Sequence, residues 1–244
     1  MSGPRVYIHE FIDIVGHHRA QYMYHMTANW VPIGRAERGQ RCFGVWGVVG
    51  STGRWPQVVN LWEYSGWEAL GHNFEVELTG AGLQDPSLAD WWSRAAEFRS
   101  GGLDRILVAP DWSPSVADHE AAFAGPPVGY AHEVVSCRAG TAGELLERVR
   151  TTGIDAHAAD GLALVGAFRR AMADDDECIL LWSFPTWAAW SSFESDERGP
   201  AAAWRTAQRD IVTGRDRILL ADAPLSPLRL GRQPAASDRV DPPA

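Results

Sequence analysis

An internal repeat constrains this chain more than any other feature. The segment VVNLWEYSGWEALGHNFE, Val58 to Glu75, is matched by CILLWSFPTWAAWSSFE, Cys178 to Glu194. Each reads Leu-Trp, an aromatic residue two positions on, a second Trp, then Phe-Glu. The flanks pair as well: DRILVAPDWSP from Asp104 with DRILLADAPLSP from Asp216, and VYIHEF from Val6 with GYAHEV from Gly129. Trp92 and Trp204 precede their terminal strands by the same distance. Order, content and spacing all agree, so the chain holds two copies of one unit, and that decides the fold class before any single residue does.

Each copy patterns as strand, helix, strand, strand, helix, strand. In the first, residues 5–14 alternate and Gly16 punctuates. A helix is expected over 17–35, a strand over 43–49, a hairpin turn over 51–56 and a strand over 58–64. Residues 67–98 read as helix with a break near 80–86, and 105–108 close the unit. This order is the ferredoxin-like motif. Its sheet carries helices on one face and leaves the other bare, so two units cover each other. The expectation is an α+β fold, tandem ferredoxin-like βαββαβ repeats packed sheet to sheet as an α/β barrel. Residues 1–109 form repeat 1, 110–128 a linker, 129–223 repeat 2, and the Pro-rich 224–244 a flexible tail.

A net charge of −9 and the absence of a basic run disfavour nucleic acid and anionic membranes as partners. All 22 basic residues are Arg, which excludes a Schiff-base Lys or a P-loop Lys. Cys42, Cys137 and Cys178 lack CxxC spacing and read as reduced thiols of a cytoplasmic protein. No run is long enough for a membrane span, and the N-terminus lacks signal-peptide character. No GxGxxG, P-loop or GxSxG motif is present. No metal site is expected, since His17, His18 and His25 lack ligand spacing.

YIHEF followed by Gly, a G-x-W strand and then VVNLWEY resembles the NIPSNAP family of the dimeric α/β-barrel superfamily. The resemblance spans most of residues 5–221 and is strongest in the first copy. It implies the fold more firmly than the reaction, because the superfamily includes cofactor-free monooxygenases, isomerases, lyases and haem enzymes. The chain departs from the family in having His9 for an Arg on the first strand and Asn60 before Leu-Trp. It also lacks Arg residues after LWEY, where His72 lies.

Alternation puts Tyr7, His9 and Phe11 on one face of the first strand, and Asn60, Trp62 and Tyr64 on one face of the third. With Trp46, these are expected to line one pocket. His9 is either the acid or base of that pocket or a hydrogen-bonded core histidine. Asn60 and Tyr64 are candidate donors to an oxyanion. Glu10, on the other face, is expected in a structural ion pair with an Arg such as Arg19. His18, Tyr22, His25 and Asn29 form a helical stripe opposite the core stripe of Ala20, Met23, Thr27, Trp30 and Val31. That stripe faces solvent, a subunit or a ligand. Trp55, beside Arg54 in the hairpin, caps a pocket or mediates dimerisation.

The first copy is therefore read as the functional half of a cytoplasmic, cofactor-independent enzyme acting on a small hydrophobic or aromatic molecule by isomerisation, elimination, hydrolysis or oxygenation. His9, Asn60, Tyr64, His18 and His25 are its expected catalytic residues. Tyr7, Phe11, Tyr22, Trp46, Trp62, His72 and Trp55 are its expected substrate contacts. A non-catalytic binding or assembly protein, possible as a homodimer, and a haem-dependent enzyme are the alternatives.

Overall fold

The structure is a computed structural model that describes residues 3–239. It is a mixed α+β fold with eight antiparallel strands, and it divides into two compact units. Of the described residues, the first comprises 3–105, 115–126 and 222–239, and the second 106–114 and 127–221.

In the first unit, β1 (Val6–Ile14) and β2 (Arg41–Val48) both pair antiparallel with β3 (Gln57–Tyr64). β3 is buried along its whole length, as expected of a central strand rich in Val, Leu and aromatics. One long helical segment covers a face of this sheet. It runs as α1 (Arg19–Tyr24), a π-helical turn (His25–Trp30) and α2 (Val31–Arg38), and stops at Gly39 in the left-handed conformation. The chain continues through α3 (Trp67–Glu77), α4 (Pro86–Ala95) and β4 (Arg99–Val108). Asp85 caps α4 by accepting from the Leu88 N–H at 3.1 Å, and Pro86 takes the first helical position. The same carboxylate pairs with Arg38, which ties the end of α2 to the start of α4.

The π-turn changes the expected stripe. A wider turn inserts an extra residue and shifts the helical phase, so side chains beyond it no longer follow i, i+4 spacing from those before it. Ahead of the turn Tyr22 is buried and Ala20, expected in the core, is exposed; His25, at its start, is buried, and Met23, Thr27, Trp30 and Val31 are buried as expected.

The expected linker is structured. Residues 116–121 form α5 (Val116–Ala121), whose N-terminus carries a reciprocal Ser115–Asp118 capping box. The expected flexible tail is also engaged through residue 239. α10 (Pro227–Leu230) follows Ser226, whose Oγ accepts from the Val45 N–H at 3.2 Å. Gln233 brackets Cys42, accepting from its N–H at 3.0 Å and donating to its carbonyl at 2.8 Å. Residues 240–244 of that tail lie outside the described residues.

The second unit carries the order β8-β5-β7-β6, with the end of β4 beside β6. Its strands are β5 (Gly129–Cys137), β6 (Ala163–Arg170), β7 (Glu177–Phe184) and β8 (Val212–Asp222). Its helices are α6 (Ala142–Arg148), a π-turn (Val149–Gly153), α7 (Ile154–Ala159), α8 (Trp187–Ser195) and α9 (Pro200–Ala207). Trp182 and Phe168 fill its core, where His157 stacks on Trp182 with ring centroids 4.0 Å apart. Among the described residues, no helix is long and apolar enough to cross a membrane.

Candidate active site

Strand register sorts the candidate residues. Directly paired residues of antiparallel strands project to the same face. Glu10 pairs with Asn60, Ile8 with Trp62 and Val6 with Tyr64, so Asn60, Trp62 and Tyr64 share the Glu10 face. His9 pairs with Leu61 and lies on the opposite face with Tyr7 and Phe11. Trp46 pairs with Val59 and belongs to the His9 face. The expected pocket of His9 with Asn60, Trp62, Tyr64 and Trp46 is therefore divided by the sheet itself.

On the His9 side, Phe11 meets the His9 ring edge-on at 4.9 Å, and Tyr7 donates to Glu63 Oε2 at 2.8 Å. Burial pushes the Tyr7 phenol well up, and the Glu63 charge adds to this.

The other face holds a compact polar cluster. Asn60 Nδ2 donates to Glu10 Oε2 at 2.8 Å and to the Tyr22 hydroxyl at 3.0 Å. The Trp62 indole N–H donates to the same Glu10 oxygen, also at 2.8 Å. Both donors converge on Oε2, and Oε1 holds no hydrogen bond among the described residues. Burial raises the Glu10 pKa, and the nearby Asp104 carboxylate adds to the rise. The Trp62 and Asn60 donors and the Arg99 charge oppose it. Glu10 has no ion-pair partner among the described residues. The expected partner, Arg19, instead donates to the Val48 carbonyl at 2.8 Å and stacks over Trp55 at 4.3 Å. Arg99 lies over the Trp92 ring at 4.4 Å and acts on Glu10 through its field.

The aligned carboxylate of the second copy, Glu133, is held quite differently. Arg215 bonds one of its oxygens, and Arg217 donates to the other at 2.8 Å. Burial alone would raise Glu133, but the two guanidiniums overcome it and hold the group at about 2. Asn60 is replaced there by Leu180.

The remaining candidates scatter. The Tyr64 hydroxyl lies by Gln40, on the Glu10 face, and burial pushes its phenol well up. His18 packs near Phe98 with centroids 5.6 Å apart. His25 stacks on Trp91, and burial lowers its pKa. His72 is exposed on α3, its ring 3.6 Å from Glu75. Trp55 is 54% exposed under Arg19. His132 is buried on β5.

Sequence reasoning missed Glu10 as the centre and Arg99 and Asp104 as its surroundings. One signal was present. Aligning DRILV with DRILL places Leu103 opposite Arg215, so the first copy lacks one arm of the clamp. The other arm, Arg105, sits over the Phe11 ring at 5.6 Å, on the His9 face.

The haem alternative requires an open imidazole nitrogen. Both ring nitrogens of His25 are engaged, one by the Trp91 carbonyl and one by Asn29, and His157 is wedged between Trp182 and Trp204. Neither residue fits an axial ligand. Among the described residues, no group of three His, Cys, Asp or Glu is placed to hold a metal ion.

No family model matches this chain, and no curated protein matches it. Solved structures do. A proposed monooxygenase from Fusobacterium nucleatum is 11% identical with a TM-score of 0.61, over 91% of this chain and 94% of that one. A proposed monooxygenase from Lactobacillus acidophilus is 11% identical with a TM-score of 0.58, over 90% and 94%. An anthrone oxidase-like protein is 10% identical with a TM-score of 0.60, over 90% and 92%. At such identity the likeness shows a shared ferredoxin-like fold and no more.

Proposed function

We propose that this chain is a small-molecule enzyme whose general base is Glu10. The observation that carries the reading is the state of that carboxylate. It is half-buried, with one oxygen anchored by two N–H donors and, among the described residues, no hydrogen bond on the other oxygen and no cation bonded to it. A carboxylate so placed is a stronger base than an ordinary one and presents a defined lone pair. Asn60 donates to the Tyr22 oxygen, which leaves the Tyr22 hydroxyl hydrogen to meet an oxyanion as it develops. Trp62 and Tyr64, both buried, make the same face aromatic, in keeping with an apolar or aromatic substrate.

The reaction we place first is oxygenation of an acidic C–H by dioxygen, ahead of isomerisation, elimination or hydrolysis. Similar structures are described as proposed monooxygenases and as anthrone oxidase-like. An anthrone carries a CH2 group made acidic by its aromatic ketone. Glu10 would remove one of its protons, and the carbanion would react with dioxygen. One oxygen atom ends in the new carbonyl and the other leaves as water with the two hydrogens, so the substrate supplies the electrons and no cofactor is needed. Membership of the NIPSNAP family rests on the YIHEF and VVNLWEY motifs. A cytoplasmic setting fits the three free thiols.

The test uses an anthrone-type substrate under air. Glu10→Gln keeps the shape and removes the base, so kcat should fall about 10²- to 10⁴-fold with no loss of melting temperature. Tyr22→Phe should lower kcat by roughly 10- to 100-fold, a smaller effect than the 10²- to 10³-fold loss of a dedicated oxyanion donor. The acid limb of kcat/KM should lie above the ordinary Glu value of 4.5. Full turnover by Glu10→Gln would exclude the assignment. The assembly alternative rests on exposed Trp55; it expects Trp55→Ala to change oligomeric state, with no turnover in either form.

A further inference from the structure

The helical segment that carries Tyr22 to Asn60 presents a second set of side chains to α4. Between them lies a groove of about 440 Å³, with Arg239 contributing to its wall. That volume suits a small organic molecule.

The floor of the groove is a fixed hydrogen-bond array. His25 stacks on Trp91, with centroids 5.1 Å apart and planes within 4°. Its Nε2 is 3.0 Å from the Trp91 carbonyl oxygen, which only accepts, so Nε2 carries the hydrogen. Nδ1 is then an acceptor, and Asn29 must turn its Nδ2 toward it, at 2.8 Å. The Asn29 amide is thereby oriented, and its Oδ1 is left as a buried acceptor without a partner. Gln21 Oε1 and the Tyr24 hydroxyl, on the same groove, are also buried and without partners. Unmet polar atoms are scarce in folded proteins, and a group of them along one cavity points to ligand groups that satisfy them.

The charge of the groove narrows the class. Arg94 and Arg239 both act on the His25 ring, with Asp90 as the opposing carboxylate, so the field is cationic. Trp91 and Phe98 line the groove, with His25 stacked on Trp91 and Arg94 over the Phe98 ring at 5.4 Å.

We propose that this groove is a second small-molecule site, which takes an aromatic carboxylate bearing a hydroxyl or N–H donor. The carboxylate lies toward Arg94 and Arg239, the ring lies along Trp91 and Phe98, and the donor meets Asn29 Oδ1. The inference stands independently of the Glu10 reading.

Isothermal titration of the full chain with 4-hydroxybenzoate tests it. The comparison ligands are 4-methylbenzoate, which lacks the donor, and 4-hydroxybenzyl alcohol, which lacks the charge. Both should bind about tenfold or more weakly, the scale of one well-formed hydrogen bond or charge contact. The double variant Arg94→Gln/Arg239→Gln alters side chains at the groove mouth and should weaken 4-hydroxybenzoate about tenfold while leaving the two-hydroxyl ligand unchanged. Glu10→Gln should leave binding as it was. No binding of 4-hydroxybenzoate, or binding indifferent to the arginines, overturns the proposal. Binding lost in Glu10→Gln but retained in the arginine variant also overturns it, and places the ligand at Glu10.

Discussion

Two glutamates at aligned positions show how a single side chain can be spent on stability or withheld from it. Glu133 is held at about 2 by Arg215 and Arg217, against an ordinary 4.5. Its folded value is depressed, so it contributes stability above pH 4.5 that is lost as pH falls toward 2, about 3 kcal/mol at neutral pH. Glu133→Gln should lower stability by about that amount at pH 7, and less as pH falls through this window. Glu10 has the opposite sign. Its folded pKa is raised, so stability declines as pH rises from the unfolded value of 4.5 through the folded one. Glu10→Gln should therefore melt above the unaltered protein at pH 8, and the two curves should converge near pH 4. Urea denaturation across pH separates the two cases. A Glu10→Gln protein less stable at pH 8 would show that the carboxylate is a structural group, as the sequence reading held.

Elements were more legible in the sequence than sites were, for a geometric reason. The strands and helices follow from hydrophobic period and turn residues, and the repeat supplied each one twice. Which face a strand residue occupies relative to its neighbour depends on register, and a one-residue shift reverses every side chain. Grouping His9 with Asn60 required a pairing of opposite parity to the observed Glu10–Asn60. The π-turn is likewise invisible to the hydrophobic period: Tyr22, ahead of it, reaches the sheet, and His25, at its start, reaches α4. The G-x-W motif of β2 was legible, but its role was not. Gly44 sits at a register shift, and a Cβ there would run into the Trp46 ring. Gly166 sits at the matching shift in β6, under Phe168. Gly44→Ala and Gly166→Ala should each cost about 1–3 kcal/mol, the usual scale of overpacking. Gly71→Ala, exposed on α3 with open space around it, should instead stabilise by up to about 1 kcal/mol. Thermal denaturation of the three variants checks the contrast, and equal effects would remove the aromatic ring as the cause.

At the scale of the whole chain, the last segment belongs to the first unit rather than trailing from the second. Composition gave the opposite expectation, because repeated Pro and few apolar residues read as tail. What holds residues 223–233 is polar, and hydropathy does not report it. The Ala223 N–H donates to the Val45 carbonyl at 2.9 Å, Ser226 accepts from the Val45 N–H, and Gln233 meets both backbone groups of Cys42. Gln233 also donates to Glu120 at 3.1 Å, which ties α5 to the same place. These groups satisfy backbone polar atoms of β2 that are buried. Removing residues 224–244 would leave the Cys42 N–H and carbonyl and the Val45 N–H without these partners. At about 1–3 kcal/mol for each buried unmet group, the truncated chain should lose roughly 3–9 kcal/mol. Gln233→Ala alone should lose about 2–6 kcal/mol, since two of the three groups depend on it. Urea midpoints of the two forms give the comparison. A truncated chain as stable as the full one would mean that β2 finds other partners and that the segment is the loose tail its composition suggests.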